Sequence, residues 1–227
     1  MKKKLNLFLW KSFREKRIAR NFPNNTVSTD TRFWDLFMQI YEEGKAVLSM
    51  REMYNIYRLV KQTSKIEGDI AEVGVYKGGS AKIISEAKGN KKLHLFDTFG
   101  GMPETDASID QHNKGDFSDT SLEEVKKYLS SYKDIFFHQG FFPASVAGSN
   151  CDTLKYSFVN LDVDIYESTK SGLEFFYERL NKGGVLLSHD YNAISCPGVK
   201  KAFDEFFINK PETVIDLWDS HCLVVKL

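Results

Sequence analysis

The sequence predicts an α/β fold: an open, doubly wound, mostly parallel sheet, closed by a C-terminal antiparallel hairpin and preceded by an N-terminal helical extension. Three observations carry this expectation. From residue 69, short apolar runs alternate with helical stretches of about 10–14 residues, the signature of strand–helix–strand units. Before residue 69 the apolar residues recur at spacings of three and four, the period of helices. At the far end, strand-like runs over 213–218 and 222–226 flank a turn at Asp219, Ser220 and His221, which reads as a hairpin. The 227 residues, 42% hydrophobic and 14% aromatic, suffice for one domain with an appendage.

Residues 1–22 read as a basic amphipathic arm, because Leu5, Phe8, Leu9 and Phe13 fall at helical spacings between lysines and arginines. Phe22-Pro23-Asn24-Asn25 favours a turn that ends it. Thr29 or Asp30 then caps a helix whose apolar face is Trp34, Phe37, Met38 and Tyr41. A second helix over 50–62 puts Met53, Ile56, Tyr57 and Val60 on one face. Residues 23–68 thus form a helical cap on the main domain, residues 69–227. There the strands are expected at 69–75, 92–97, 134–138, 156–162 and 185–190, and the helices at 80–87, 121–131, 168–180 and 199–207. Thr120 with Glu123 reads as a capping box for the second of these helices.

The 31 Lys+Arg cancel the 31 Asp+Glu, which argues against a generic nucleic-acid binder. The cancellation is not local. Residues 1–20 carry Lys2, Lys3, Lys4, Lys11, Arg14, Lys16, Arg17 and Arg20 against Glu15, a formal +7, and the remainder is −7. Cys151, Cys196 and Cys222 are far apart, a sparse odd set that suits a reducing cytoplasm. Neither a signal peptide nor a membrane-spanning run is expected.

In open sheets, ligands bind beyond the carboxyl ends of the strands. That rule selects the loops at 72–80, 97–120, 140–149, 162–169 and 189–198. The second, from Thr98 to Asp119, is long enough for a lid or binding loop. The first reads Glu72-Val73-Gly74-Val75-Tyr76-Lys77-Gly78-Gly79-Ser80. A dinucleotide turn needs glycine where Tyr76 stands, so a pyrophosphate would meet a side chain. Glu72 instead offers charge for an ammonium group, which adenosylmethionine has; glycines serving only a tight turn are the alternative. Asp97, 23 residues after Gly74, stands where an acid can bind both ribose hydroxyls, though alone it reads as a turn residue. Asp162 and Asp164 alternate to one side of the fourth strand's end, beside His189-Asp190 at the end of the fifth. Three carboxylates and a histidine on one edge require a cation or a proton. A hard divalent cation fits, and solvated carboxylates are the alternative.

The phrases EVGVYKGGS, LFDTFGGMP, LDVDIYEST and HDYNAISCPGVKKAFDEF, in that order over about residues 50–207, resemble the macrocin O-methyltransferase (TylF/MycF-like) family. The resemblance implies a Rossmann-like class I methyltransferase that depends on S-adenosyl-L-methionine and magnesium and methylates sugar hydroxyls of natural products. By the same resemblance, Glu72, Gly74, Gly78 and Ser80 match the cofactor turn, which includes Tyr76. Asp97, with Thr98 beside it, matches the ribose ligand, and the 50–62 helix covers the cofactor. Asp162 and Asp190 match metal ligands, and Asp164 the general base. Where the family has two aspartates, this chain has His189-Asp190. His189 then ligates a metal, favouring manganese, iron or zinc over magnesium; or it points away; or it acts as a base.

The function so implied is a metal-assisted O-methyltransferase acting on a sugar or glycosylated metabolite. The alternative is a catalytically silent cofactor-binding or assembly protein that lost its metal at His189. Tyr166, Tyr191, Phe141 and Phe142 offer a surface for a sugar ring or ordinary packing. His94 reads as core, His112 could touch substrate, and His138 and His221 carry weaker cases. The expected partners are a small-molecule or saccharide acceptor and a second copy of the chain, with no nucleic acid. The arm docks on that copy or lies on an anionic membrane, so the expected location is cytoplasmic, in the second case at the membrane's inner face.

Overall fold

The computed structural model describes residues 30–227. The basic arm, with the docking and membrane contacts assigned to it, and Thr29 lie outside the described residues. Asp30 caps the first described helix, α1 (Thr31–Glu42), by accepting the Phe33 N–H at 3.2 Å. Phe33, Trp34, Phe37, Met38 and Ile40 are buried, whereas Tyr41, expected on that face, is exposed. Helix α2 (Met50–Gln62) starts at a capping box. Ser49 Oγ accepts the Glu52 N–H, and Glu52 Oε2 accepts the Ser49 N–H at 2.6 Å. Its expected face of Met53, Ile56, Tyr57 and Val60 is buried.

The sheet has seven strands among the described residues: β1 (Asp69–Val73), β2 (Leu93–Asp97), β3 (Ile135–Gln139), β4 (Tyr156–Leu161), β5 (Leu180–Ser188), β6 (Ile215–Asp216) and β7 (Cys222–Val225). Their order is β3-β2-β1-β4-β5-β7-β6. The first five pair in parallel, β7 runs antiparallel to β5, and β6 antiparallel to β7. Alternation along each strand divides the core between two faces. Ile70, Leu95 and Phe158 join the core built with α1, α2 and α3 (Gly79–Ala87). Ala71, Phe96 and Val159 join the one built with α5 (Tyr166–Tyr177) and α6 (Pro197–Phe207). The doubly wound architecture and closing hairpin are as expected.

Local details differ. Strand β5 begins at Leu180 rather than 185, and the hairpin is shorter than expected, with β6 only two residues long. The remaining helix, α4 (Leu122–Tyr128), is capped by Ser121, which accepts the Glu124 N–H at 3.3 Å. Thr120 does not cap it, because its hydroxyl donates to the Tyr76 carbonyl at 2.6 Å. Among the described residues, no helix is long and apolar enough to cross a membrane.

The strand order reverses between β1 and β4, where a crevice opens at the carboxyl ends. There Gly74 has φ +86°, and a β carbon on it would lie 1.7 Å from the Asp162 carbonyl oxygen. Gly74→Ala should therefore cost at least about 3 kcal/mol in chemical denaturation, from left-handed strain and a backbone clash together. Gly89→Ala, at φ +60° with nothing within 4 Å of the new atom, should cost only about 1 kcal/mol.

Candidate active site

A cleft of about 1020 Å³ occupies this crevice. The first loop contributes Gly74, Tyr76 and Ser80, the end of β2 Asp97 and Thr98, and the long loop Met102 and Phe117. Asp162 and Asp164 follow β4, His189 follows β5, and Leu48 and Met53 close the side formed by the helical cap. Glu72, Gly78 and Asp190 are not among the lining residues. Gly78 is instead the left-handed N-cap of α3, at φ +82°.

Asp97 already holds both loops that reach it. Its Oδ2 accepts the N–H groups of Val75 and Tyr76 at 2.6 and 2.9 Å, and its Oδ1 accepts the Phe99 N–H at 2.6 Å. A carboxylate has about four acceptor positions, and with Thr98 Oγ1 also 3.5 Å from Oδ1 most of them are engaged within the chain. Tyr76 bends in a left-handed conformation at φ +49°, and its hydroxyl donates to Asp119 at 2.6 Å. Its ring meets Phe117 edge-on at 5.3 Å.

Glu72 is fully buried behind this loop, where Asn160 Nδ2 donates to its Oε1 at 3.0 Å. Its Oε2 has no partner. Burial pushes its carboxyl up to about 8 against the opposing hydrogen bonds of Ser80 and Asn160. Glu72 thus lies beneath the glycine loop and not on the cleft surface, so it makes no direct wall for a ligand ammonium.

The acidic edge centres on His189. Its Nδ1 lies 2.8 Å from Asp190 Oδ2 and 3.1 Å from Asp162 Oδ1, and its Nε2 lies 3.4 Å from Glu52 Oε1. Burial disfavours charge on the ring, but Asp162 and then Asp190 and Glu52 outweigh it and hold His189 as an imidazolium. His189 thus faces Asp162 and Asp190 rather than pointing away. Asp164 stands beyond β4 at φ +61°, so strand alternation does not govern its direction, although it shares the cleft with Asp162. Burial foremost, then the Asp162 charge and a hydrogen bond with Asp190, raise its carboxyl well above the ordinary range.

These residues fit a divalent cation. Nδ1 of His189 is buried and, despite two carboxylate oxygens beside it, makes an aligned hydrogen bond with neither. One donor atom each from Asp162, His189 and Asp190 lies within 4.8 Å of the others. An ion that displaced the ring proton at Nδ1 would satisfy that nitrogen and relieve the repulsion between carboxylates.

Several participants escape a linear reading of the sequence. Ser220 donates to Glu52 Oε1 at 2.7 Å, and His221, fully buried, meets the His189 ring edge-on at 5.3 Å. The spacing Ser49-x-x-Glu52 could have flagged Glu52, as a capping residue only. Phe141, exposed, and Phe117 line the cleft. Tyr166 and Tyr191 do not; they donate to Glu205 and Asp204 at 2.6 and 2.8 Å. Phe142 reaches the cleft but stacks on Phe176 at 5.5 Å as packing. His112 pairs with Asp116 at 3.2 Å.

A family model described as macrocin-O-methyltransferase (TylF) matches residues 13–221. This is wider than the resemblance over 50–207 and takes in part of the arm. Demethyldecarbamoylnovobiocin O-methyltransferase of Streptomyces niveus is 25% identical, over 70% of this chain and 66% of that protein. The 8-demethyl-8-(2,3-dimethoxy-alpha-L-rhamnosyl)-tetracenomycin-C 4'-O-methyltransferase of Streptomyces olivaceus is 30% identical, over 58% of this chain and 56% of that protein. The chain thus spans a little under two thirds and somewhat over half of these relatives. The solved O-methyltransferase NovP has the same fold, with a TM-score of 0.69 at 20% identity over 83% of this chain and 87% of its own.

Glu72 provides a test without ligand. Its folded-state pKa of about 8 lies above the ordinary 4.5, so the stability it contributes is complete below about 4.5 and lost as pH rises to about 8. Glu72→Gln should lack this slope. Its melting temperature relative to the unaltered protein should therefore rise steadily between about pH 5 and pH 8 in a thermal-shift series.

Proposed function

Since the chain belongs to the macrocin-O-methyltransferase (TylF) family, we propose that it is an S-adenosyl-L-methionine-dependent O-methyltransferase whose acceptor is a hydroxyl of a sugar or glycosylated metabolite. The observation that carries this reading is the meeting, in one cleft, of the glycine loop with Asp97 and the acidic cluster of Asp162, Asp164 and His189. The name of one relative, a 4'-O-methyltransferase of a rhamnosyl-tetracenomycin, supports the acceptor class.

Adenosylmethionine supplies an electrophilic methyl group on a sulfonium, whose departure as a neutral thioether needs no general acid. Asp97 gives its remaining acceptor position to a ribose hydroxyl. Gly74, Tyr76 and Ser80 shape the adjoining wall, and Thr98 borders it. Leu48 and Met53 from the helical cap exclude water from that side. Phe117 and Phe141 offer apolar faces to a sugar ring at the mouth.

Asp164 is the general base. It takes the hydroxyl proton as the O–CH₃ bond forms and the C–S bond breaks, with that bond's electron pair remaining on sulfur. A raised proton affinity suits this task, because a sugar hydroxyl is a poor acid. A divalent cation held by Asp162, His189 and Asp190 would supply positive charge to stabilise a developing alkoxide. Glu52 and Ser220 fix the far side of the His189 ring. Holding oxygen and methyl in line supplies much of the remaining rate.

The silent-binder alternative has one observation in its favour: the His189 imidazolium itself lies between Asp162 and Asp190 as a positive charge. Turnover decides. With a glycosylated acceptor, Asp164→Asn should lower kcat about 10²–10⁴-fold while calorimetry shows adenosylmethionine binding retained. Chelator should abolish turnover, and magnesium or manganese should restore it. Cofactor binding with no methyl transfer to any hydroxylated acceptor would favour the silent reading, and turnover indifferent to chelator would remove the metal from the mechanism.

A further inference from the structure

A second cluster of ligand-type side chains lies away from the acidic edge, where β2, β3 and the segment entering β4 meet. His94 Nδ1 is 3.1 Å from His138 Nε2, and Cys151 Sγ is 3.7 Å from the former and 3.5 Å from the latter. His94 and Cys151 are buried, and His138 is half-buried. The nitrogen–nitrogen and shortest nitrogen–sulfur separations approach the edges of a tetrahedron around zinc, while Sγ, also 3.9 Å from His138 Nδ1, would swing away from the ring by a turn of the Cys151 side chain to complete it. Zinc–nitrogen bonds of about 2.0–2.1 Å and a zinc–sulfur bond of about 2.3 Å give edges of about 3.3 Å between nitrogens and about 3.6 Å between nitrogen and sulfur.

The surroundings orient the ligands. Asp69 Oδ2 lies 3.1 Å from His94 Nε2. A proton held there leaves Nδ1 with its lone pair facing the cluster, the carboxylate–histidine arrangement that supports metal ligands. Hydrogen bonding alone serves the cluster poorly. Nδ1 of His94 then has a single in-plane acceptor position, yet the His138 ring nitrogen and the Cys151 thiol both converge on it. Phe96 and Phe136 stack on the two imidazoles at 4.5 and 5.1 Å and keep them in place.

We propose that His94, His138 and Cys151 form a structural zinc site, with water at the fourth position and Asp69 positioning His94. Thiolate and imidazole donors select zinc over magnesium, so this site and the carboxylate site in the cleft would sort metals by softness. The bound ion would clip β2 and β3 to the connection over residues 140–155, whose Gly140, Phe141 and Phe142 line the cleft. None of this depends on the methyltransferase reading.

Cobalt(II) added to the reduced full-length chain reads the site directly. One equivalent should give a thiolate-to-cobalt charge-transfer band and the strong visible bands of tetrahedral cobalt, both displaced by zinc. They should disappear in Cys151→Ser and His138→Ala, and persist in Cys196→Ser and in Asp162→Ala. Zinc should raise the melting temperature of the unaltered chain by several degrees. X-ray absorption at the zinc edge of that chain should show one sulfur and three nitrogen or oxygen scatterers, with the outer-shell signature of imidazole, and it decides the matter even if a variant fails to fold. Absence of the charge-transfer band, its survival in Cys151→Ser, an oxygen-only zinc shell or an unchanged melting temperature would each overturn the proposal.

Discussion

The carbonyl oxygen of Asp162 lies almost where the β carbon of any residue but glycine would sit at position 74. That approach arises because β1 and β4 are neighbours at the reversal of strand order, and the Asp162 N–H still bonds to the Val73 carbonyl at 2.9 Å beyond the end of β4. The chain leaving β1 must therefore turn at Gly74 in a left-handed conformation. Its next amides, of Val75 and Tyr76, then fall on Asp97. One backbone contact thus places the loop read as the cofactor wall and also pins the first carboxylate of the acidic cluster. Neither half of the cleft can shift without the other.

The electrostatics of the cleft follow from packing too many acids at one sheet edge. Glu52, Asp162 and Asp190 surround a single imidazole, which stays charged although it is largely buried. Removing one partner from such an arrangement leaves uncompensated charge, so its members are strongly interdependent. Asp164, one step away, feels the His189 charge too, but burial and the neighbouring aspartates outweigh it and raise its carboxyl well above the ordinary range. Two aspartates separated by one residue thereby meet different surroundings, Asp162 beside the His189 ring and Asp164 buried among carboxylates. The zero net charge of the whole chain conveys nothing of this local imbalance.

Much of the fold was legible because strand alternation and helical periodicity are local properties. Ile70 and Ala71 had to face opposite sides, and the helix over 50–62 had to bury Met53 and Ile56. The cleft was legible through the rule for parallel sheets, and Asp162, Asp164 and His189 do gather there. Asp164 arrives there through a left-handed turn rather than through strand alternation. The capping box missed by one residue because Thr120 spends its hydroxyl on the Tyr76 carbonyl, 44 positions away. Glu72 lies deeper than expected, beneath the loop and off the cleft surface, since burial depth cannot be read from a motif. Glu52, Ser220 and His221 could not be read at all as site residues, because nothing in their own segments announces the histidine they share.

The contact between Glu52 and Ser220 spans 168 positions. Contacts of such separation form late, after the entropy of closing the intervening chain has been overcome. In the folded chain Glu52 holds its own capping amide with Oε2, while Oε1 meets Ser220 and His189. Once residue 220 arrives, the helical cap and the far edge of the sheet lock together over His189. A chain with its parallel strands in place already sets Asp162 and Asp190 against His189; what the last residues add is the tie that fixes Glu52 on the other side of the ring.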